Sequence, residues 1–281
     1  MGFKKVWDEM SQINFRNIPI INNKKHKEPS VFNPENLLRE ARRQKNIKSE
    51  KIPEICILDP DGDIVSYLLE EKKAKPNHAW ACYHTQLYNF TYGNVAFGII
   101  GCVVGSSFAV LVAEELFACG CQFLVSMTSA GQITPLERQP PYFILIEKAL
   151  RDEGTSYHYQ LPSQYSHIDK KLLHNIANGL EKDSLGMYIG ASWTTDAPFR
   201  ETESAIMHAR SQGILAVEME AAALYAFASA KQKQVVCLAH VTNQMGSAQN
   251  DFEKGINNGS IDSLRVVSFV VNKCLDSNWR C

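Results

Sequence analysis

Short apolar runs that alternate with helical stretches limit what this chain can fold into more than any other feature. From Lys51 onward seven such runs occur, at 55–58, 95–100, 123–127, 142–146, 187–191, 214–217 and 235–241. Apolar side chains on consecutive residues are typical of strands buried on both faces. Helical patterns lie between several of the runs, at 108–118, 170–180, 201–212, 220–230 and 261–274. The alternation predicts an α/β fold with a central, mostly parallel or mixed sheet covered by helices.

The first fifty residues have a different character from the rest of the chain. Basic clusters occur at 24–27 and 42–45, and apolar periodicity is weak. One short helix is predicted here, because Asn33 can cap it, Pro34 fits its first position and Glu35 places an acidic group in its first turn. The predicted organisation is therefore a polar, basic extension over residues 1–50 with one short helix, followed by an α/β domain over residues 51–281.

Charge and composition exclude several kinds of function. The 29 Lys and Arg balance 30 Asp and Glu, so the net charge gives no indication of nucleic-acid binding. The apolar runs are shorter than a membrane span, and the N-terminus lacks the apolar stretch of a signal peptide. The eight cysteines form no C-x-x-C pair and no zinc-like spacing. We expect a cytoplasmic protein with reduced thiols, no bound metal, and neither nucleic acid nor membrane as a partner.

Polar residues follow six of the apolar runs. In open α/β sheets the ligand crevice lies beyond the carboxyl ends of the strands, so these residues are expected to form one polar site. They are Asp59-Pro60-Asp61-Gly62, the glycine-rich segment 101–107, Thr128-Ser129-Ala130-Gly131, Ser192-Trp193-Thr194-Thr195-Asp196, Glu218-Met219-Glu220 and Thr242-Asn243-Gln244.

Two carboxylates, Glu218 and Glu220, flank Met219 where a strand gives way to an Ala-rich helix. Carboxylates at a helix start are favoured by the helix dipole, so capping is one interpretation. A sugar diol is the other, because its hydroxyls need a carboxylate acceptor and a methionine supplies an adaptable apolar wall.

Three further features leave alternatives open. The glycine-rich segment 101–107 suits an anion at a helix start or tight helix packing, and it matches neither the Walker nor the dinucleotide-binding fingerprint. Asn243 can donate and accept in one plane, as the edge of a heterocycle requires, or it is a turn amide. Phe199 can stack on a base or sugar, or lie in the core.

Four of these segments resemble the nucleoside phosphorylase/uridine phosphorylase superfamily, which also contains hydrolytic nucleosidases. They are Val217-Glu218-Met219-Glu220-Ala221-Ala222, the Ser129-Ala130-Gly131 turn, the loop and helix at 101–116, and Arg151-Asp152-Glu153-Gly154-Thr155-Ser156-Tyr157-His158-Tyr159. The similarity extends over about 55–274. It implies a single-domain, three-layer α/β/α fold with a central mixed sheet, assembled as dimers or trimers of dimers. It also implies a nucleoside substrate, no cofactor, and inorganic phosphate as co-substrate.

The resemblance also implies roles for individual residues. Glu220 and Asn243 are the expected catalytic residues, Glu220 by fixing the ribose 2′ and 3′ hydroxyls and Asn243 by steadying the leaving base. The expected ribose-binding residues are Glu218, Met219, Glu220 and Ser129. The expected base-binding residues are Phe199, Asn243 and Gly131, and the expected phosphate- or nucleophile-binding residues are Ser129, Thr128 and Arg200.

The chain departs from the family pattern where phosphate is held. The family's arginines are missing: Ser126 stands at one position, an acidic cluster of Asp59, Asp61 and Asp63 follows the first strand, and segment 83–86 contains no arginine. Phosphate binds well to bidentate guanidinium and is repelled by carboxylates. Phosphorolysis to free base and ribose 1-phosphate is the first expectation, and hydrolysis by water or nucleoside binding without turnover are the alternatives. The preferred base stays open.

Overall fold

Ten strands form one mixed sheet in a computed structural model that describes residues 18–180, 186–245 and 251–276. The strands are β1 Ile55–Asp59, β2 Lys75–Pro76, β3 Tyr88–Tyr92, β4 Val95–Gly101, β5 Phe123–Gln132, β6 Tyr142–Asp152, β7 Tyr165–His167, β8 Met187–Thr195, β9 Ile214–Glu218 and β10 Gln234–Asn243. All seven predicted runs lie in strands, so the predicted central mixed sheet is confirmed. The short strands β2, β3 and β7 were not predicted.

The helices of the described residues cover this sheet. They are α1 Pro34–Lys45, α2 Asp63–Glu70, α3 Ser106–Ala118, α4 Lys170–Leu180, α5 Glu203–Ser211, α6 Ala221–Lys231 and α7 Ser260–Asp276. The five helical patterns correspond to α3 through α7, and the α/β fold class is thereby confirmed. No helix of the described residues is long and apolar enough to cross a membrane.

The sheet closes on itself around β5, which the alternation of elements did not predict. The strand order is β10-β6-β8-β9-β5-β1-β4-β3-β2, and β5 also pairs with β10. Strands β5, β10, β6, β8 and β9 therefore form a ring. Three of the five pairings in the ring are parallel, whereas β10 runs antiparallel to β6 and β9 runs antiparallel to β5, with Val217 opposite Gly131. The antiparallel pairing of β9 with β5 brings the carboxyl ends of these two strands to the same place.

Helix α6 fills the centre of the molecule. Its residues from Ala221 to Ala228 are buried, which is why small alanines dominate its sequence. The hydroxyl of Tyr225 donates to Ile146 O at 2.6 Å and accepts from Cys237 N at 3.0 Å, so α6 joins β6 to β10. The start of α6 is thereby fixed against the sheet, and the two glutamates that precede it are fixed with it.

The N-terminal extension packs on the α/β domain. Asn33 caps α1 by accepting from Asn36 N at 2.9 Å, and Leu38 and Ala41 of this helix are buried in the main core. Before the helix, His26 hydrogen-bonds Tyr157 O at 3.1 Å. The division of the chain at residue 50 stays a prediction. The described part of the extension nevertheless contributes to the same core as the rest of the chain.

Candidate functional site

The ends of β5, β9 and β10 meet at one point of the ring. Gly131 near the end of β5 lies opposite both Val217 of β9 and Asn243 at the end of β10. Residues Thr128, Ser129 and Gly131 of β5 therefore lie next to the glutamate pair on one side and Asn243 on the other. The structure brings together three of the six predicted polar segments at this point, and the other three join them through hydrogen bonds from Gly105, from Ser192 and Thr194, and to Asp61.

Glu220 lies at the centre of this site. It occupies the N-cap position of α6, and only 1% of its surface is exposed. One carboxylate oxygen accepts from Gly105 N at 2.7 Å and the other from the Thr128 hydroxyl at 2.9 Å. An ionised carboxylate offers about four acceptor positions. Because these hydrogen bonds use two of them, Glu220 retains acceptor capacity for the two hydroxyls of a diol.

Gly105 owes its contact with Glu220 to its backbone conformation. Its φ is 91°, in the region that residues with a side chain rarely adopt. The next residue, Ser106, donates its hydroxyl to Met219 O at 2.7 Å. The glycine-rich segment is thus fastened to the Glu218–Glu220 bend through two hydrogen bonds. In the structure this segment positions the glutamate, a role that neither interpretation from the sequence included.

Glu218 differs from its neighbour, and the prediction that it binds ribose is corrected here. One of its carboxylate oxygens accepts from the hydroxyls of Ser192 (3.0 Å) and Thr194, and the other accepts from the amides of Glu220 and Ala221, both at 2.7 Å. These four donors fill the acceptor positions of the carboxylate. Glu218 caps α6 and links it to β8, and it is therefore a positioning residue.

Burial raises the pKa of both glutamates. The pKa of Glu220 rises to about 8, first because the carboxylate is desolvated and second because Glu218 lies beside it. The pKa of Glu218 is also raised, mainly by burial, although its four donors oppose the shift. Two adjacent buried carboxylates titrate as a pair, so the ionisation belongs to the site as a whole.

A pH dependence follows from this raised pKa. Below about pH 8 the free protein holds Glu220 largely protonated, and above it the residue is a carboxylate with full acceptor capacity. If Glu220 binds the diol as a carboxylate, kcat/KM for a nucleoside should rise with pH and level off above about 8. A pH profile of kcat/KM measures this directly, since it reports ionisation of the free enzyme. A profile that stays flat from pH 6 to 9 would contradict the proposed role of the charge.

Ser129, on the other side of Thr128, is bound to an acidic group. Its hydroxyl donates to the carboxylate of Asp61, and Asp61 accepts from Lys254 Nζ at 2.8 Å. The same ammonium donates to Asp63 at 2.6 Å, and Asn258 donates to Asp63 at 3.1 Å. Thr128 was expected to bind the nucleophile, but its hydroxyl is used by Glu220.

Asn243 and Gly131 form the opposite side of the site. Asn243 accepts from Met245 N at 2.9 Å and donates to the Thr242 hydroxyl at 3.3 Å. A β-carbon at Gly131 would lie 2.3 Å from Met245 Sδ and 3.2 Å from Asn243 Oδ1, so any other residue here requires the Met245 side chain to move. Gly131 and Asn243, which were both predicted to bind the base, are neighbours in the structure. Their role towards a base stays a prediction.

Phe199 and Arg200 lie on the exposed 3-10 turn Pro198–Arg200 after β8. The side chain of Phe199 is 99% exposed, so it is neither a core aromatic nor the wall of an enclosed pocket in this chain. Arg200 is exposed too, and among the described hydrogen bonds and ion pairs none joins it to Ser129 or Thr128. The cation that lies near Ser129 is Lys254, which no sequence pattern indicated, because 193 residues separate it from Asp61.

No group of His, Cys, Asp or Glu in the described ranges is arranged to hold a metal ion. For the acidic residues Asp61 and Asp63 after β1, one reason is that a cationic side chain, the ammonium of Lys254, already lies between them. The prediction that the protein works without a cofactor remains a prediction.

Residues 54–272 match the model of a protein family described as the phosphorylase superfamily. A guanosine phosphorylase from Halorubrum lacusprofundi is 22% identical over 172 residues, which cover 59% of this chain and 71% of that protein. Uridine phosphorylase from Vibrio fischeri has a similar structure, with a TM-score of 0.68, 20% identity, and coverage of 84% of this chain and 99% of that one.

A mutant of Helicobacter pylori MTAN with 5′-methylthioadenosine in its active site is also similar in structure. Its TM-score is 0.63 at 14% identity, and the match covers 79% of this chain and 99% of that one. At identities this low, the solved structures establish a shared fold. The match to the family model extends over more than half of the chain.

Proposed function

The chain belongs to the phosphorylase superfamily, and from that premise we propose that it cleaves the N-glycosidic bond of a nucleoside. The observation that supports this most is the difference between the two glutamates. Glu218 is fully engaged by four protein donors, whereas Glu220 accepts from two donors and keeps acceptor positions for a ribose diol.

The proposed mechanism is dissociative. Glu220 holds the 2′ and 3′ hydroxyls while the ribosyl group develops oxocarbenium character, and its negative charge stabilises that positive charge. Met219, which is half-buried between the glutamates, contributes an apolar wall for the sugar. Asn243 beside Gly131 hydrogen-bonds the leaving base, and Ser129 lies where the nucleophile is held. Positioning and electrostatics supply the rate enhancement, with no covalent enzyme intermediate.

The nucleophile has two candidates, each favoured by a specific observation. Phosphate was the first expectation from sequence, and the names of two relatives, guanosine phosphorylase and uridine phosphorylase, favour it. Water is favoured by the carboxylate of Asp61, which accepts the hydrogen bond of Ser129 where an anion would have to bind. The second observation concerns this chain's own residues.

The test of glycosidic cleavage is release of free base from a panel of nucleosides. Guanosine, uridine and 5′-methylthioadenosine form the core of the panel, because the similar proteins carry or are named for them. Chromatography of the products, with and without inorganic phosphate, should detect base from at least one nucleoside. If a nucleoside raises the Tm of the folded protein but no base appears from any of them, the chain binds nucleosides without turnover and the proposal fails.

We also propose that the protein is a homo-oligomer, as the family resemblance implied. A phenylalanine as exposed as Phe199, on a turn next to the site, is apolar surface that a second copy can cover. Light scattering coupled to size-exclusion chromatography measures the assembly, and a monomer at micromolar concentration would contradict it.

A further inference from the structure

Ser129, Asp61 and Lys254 form a continuous chain of hydrogen bonds at the edge of the proposed site. The Ser129 hydroxyl donates to Asp61, and the ammonium of Lys254 bridges Asp61 and Asp63 at 2.8 and 2.6 Å. All three charged side chains are largely shielded, with between 24% and 30% of each side chain exposed. One positive charge thus faces two negative ones.

The hydrogen-bonded residues Ser129, Asp61 and Lys254 lie at the position that the attacking group has to occupy. Thr128, which donates to Glu220, also lines the small space at Ser129 and Asp61. A nucleophile that attacks C1′ of a ribose held by Glu220 must lie within contact distance of that sugar. On the proposed base side, Gly131 lies further along β5, and Asn243 lies opposite it at the end of β10. The side of the proposed site at Ser129 is therefore the side that is left for the nucleophile.

The space at this point is small. Asp59, Asp61, Asp63, Thr128, Ser129, His240 and Asn258 are among the residues that line it, and its volume is about 10 Å³. That volume is close to the lower limit for one water molecule, and the space is open to solvent on one side. Water also fits the chemistry, because it can donate to a carboxylate such as Asp61 and accept from the Ser129 hydroxyl.

Apart from the nearby Lys254, the residues that line this space supply no positive charge. His240 is stacked on Phe143 at 4.5 Å, opposite Ser129 in the β5–β10 pairing, and burial lowers its pKa to about 4, so it is neutral at physiological pH. Asp59 is buried, and Val65 N donates to it at 2.9 Å. Phosphate at this place would meet carboxylates and one ammonium that is already paired.

We propose that Asp61 and Asp63, by pairing with Lys254 and occupying the hydroxyl of Ser129, exclude phosphate from the site and select water as the nucleophile. The inference rests on the proposed glycosidic cleavage and specifies its co-substrate. The water oxygen forms the new bond to C1′ as the bond from C1′ to the base nitrogen breaks. One proton of the water ends on the base and the other stays on the new C1′ hydroxyl, so the products are ribose and free base and no further reactant is needed.

The experiment compares the wild-type protein with Asp61→Asn and with Asp61→Asn/Asp63→Asn. Removal of the carboxylates frees Lys254 and the Ser129 hydroxyl for an anion. Calorimetric titration with inorganic phosphate should show binding to the double variant that is at least about tenfold tighter than to the wild type. Glu71→Gln is the matched control, because it removes the same charge just beyond the other end of α2, where Glu71 pairs with Lys73 on the surface. It should bind phosphate as the wild type does.

Product analysis supplies the second measurement. With nucleoside, phosphate and ¹⁸O-labelled water, the wild type should form labelled ribose, and ³¹P NMR should detect ribose 1-phosphate only in the Asp61 variants. Ribose 1-phosphate as the wild-type product, or equal phosphate affinity in wild type and double variant, overturns the inference while leaving glycosidic cleavage intact. Absence of base release from every nucleoside overturns the proposed function instead, and the phosphate titration still tests the role of the carboxylates. The Tm of the double variant shows whether it folds. If it does not fold, the inference is tested by the phosphate affinity of Asp61→Asn and by the product that the wild type forms.

Discussion

The variant Glu220→Gln is expected to lower kcat/KM for the nucleoside by about 10²- to 10³-fold, the cost of removing a group that stabilises charge in a transition state. The amide keeps the shape of the side chain and one oxygen acceptor. It loses the negative charge opposite the developing oxocarbenium ion and replaces one acceptor with a donor. Steady-state kinetics with the nucleoside that is turned over fastest measures the effect, and the Tm shows whether the fold is kept.

The matched control for this variant is Glu115→Gln. Glu115 is another buried glutamate, near the carboxyl end of α3 and away from the ends of β5, β9 and β10. Because it lies outside the site, the same loss of charge there should leave kcat/KM within about twofold of the wild type. Near-normal kinetics in a folded Glu220→Gln protein would show that the ribose binds elsewhere.

The variant Glu218→Ala is expected to lower the free energy of unfolding by about 3 kcal/mol or more, since each buried donor left without its partner costs about 1 to 3 kcal/mol. Its carboxylate is the acceptor for the amides of Glu220 and Ala221 at the start of α6, and for the hydroxyls of Ser192 and Thr194 in β8. All of these groups are buried, so water cannot replace the lost acceptor without rearrangement.

Urea denaturation, followed by circular dichroism, measures this loss. Thr202→Ala is a suitable comparison, because Thr202 caps the exposed helix α5 by accepting a hydrogen bond from Ala205 N at 3.3 Å. Its removal should cost about 1 kcal/mol. A Glu218→Ala protein no less stable than Thr202→Ala would show that the cap at α6 carries little energy. Glu218 would then be available for the ribose, as the sequence first suggested.

The fold was accessible from the sequence because its signals are local. The apolar runs of β1, β4, β5, β6, β8, β9 and β10 are each bounded by polar residues, and helical periodicity returns between most of them. The N-cap of α1 was readable for the same reason, since Asn33 and its partner Asn36 are three residues apart. Edge strands such as β2, with only two residues, carry too short a pattern to predict.

The roles of the site residues were also only partly readable from the sequence. The motif Glu218-Met219-Glu220 identified the carboxylates, but the two residues look alike in sequence. Their difference arises from what surrounds each of them in the folded chain, four donors for Glu218 and two for Glu220. For Phe199, the sequence left open stacking on a base or sugar and burial in the core. The turn that carries this residue leaves its side chain exposed.

What the sequence determined by itself is the order of the seven longer strands and of most helices, the family, and the candidate ribose-binding motif, all of which depend on residues that are neighbours along the chain. Only the tertiary structure decided which groups surround that motif. The antiparallel pairing of β9 with β5 sets Glu220 beside Thr128, and the segment after β10 carries Lys254 to Asp61 across 193 residues. Such contacts depend on closure of the sheet, which is a property of the packed core and of no single segment.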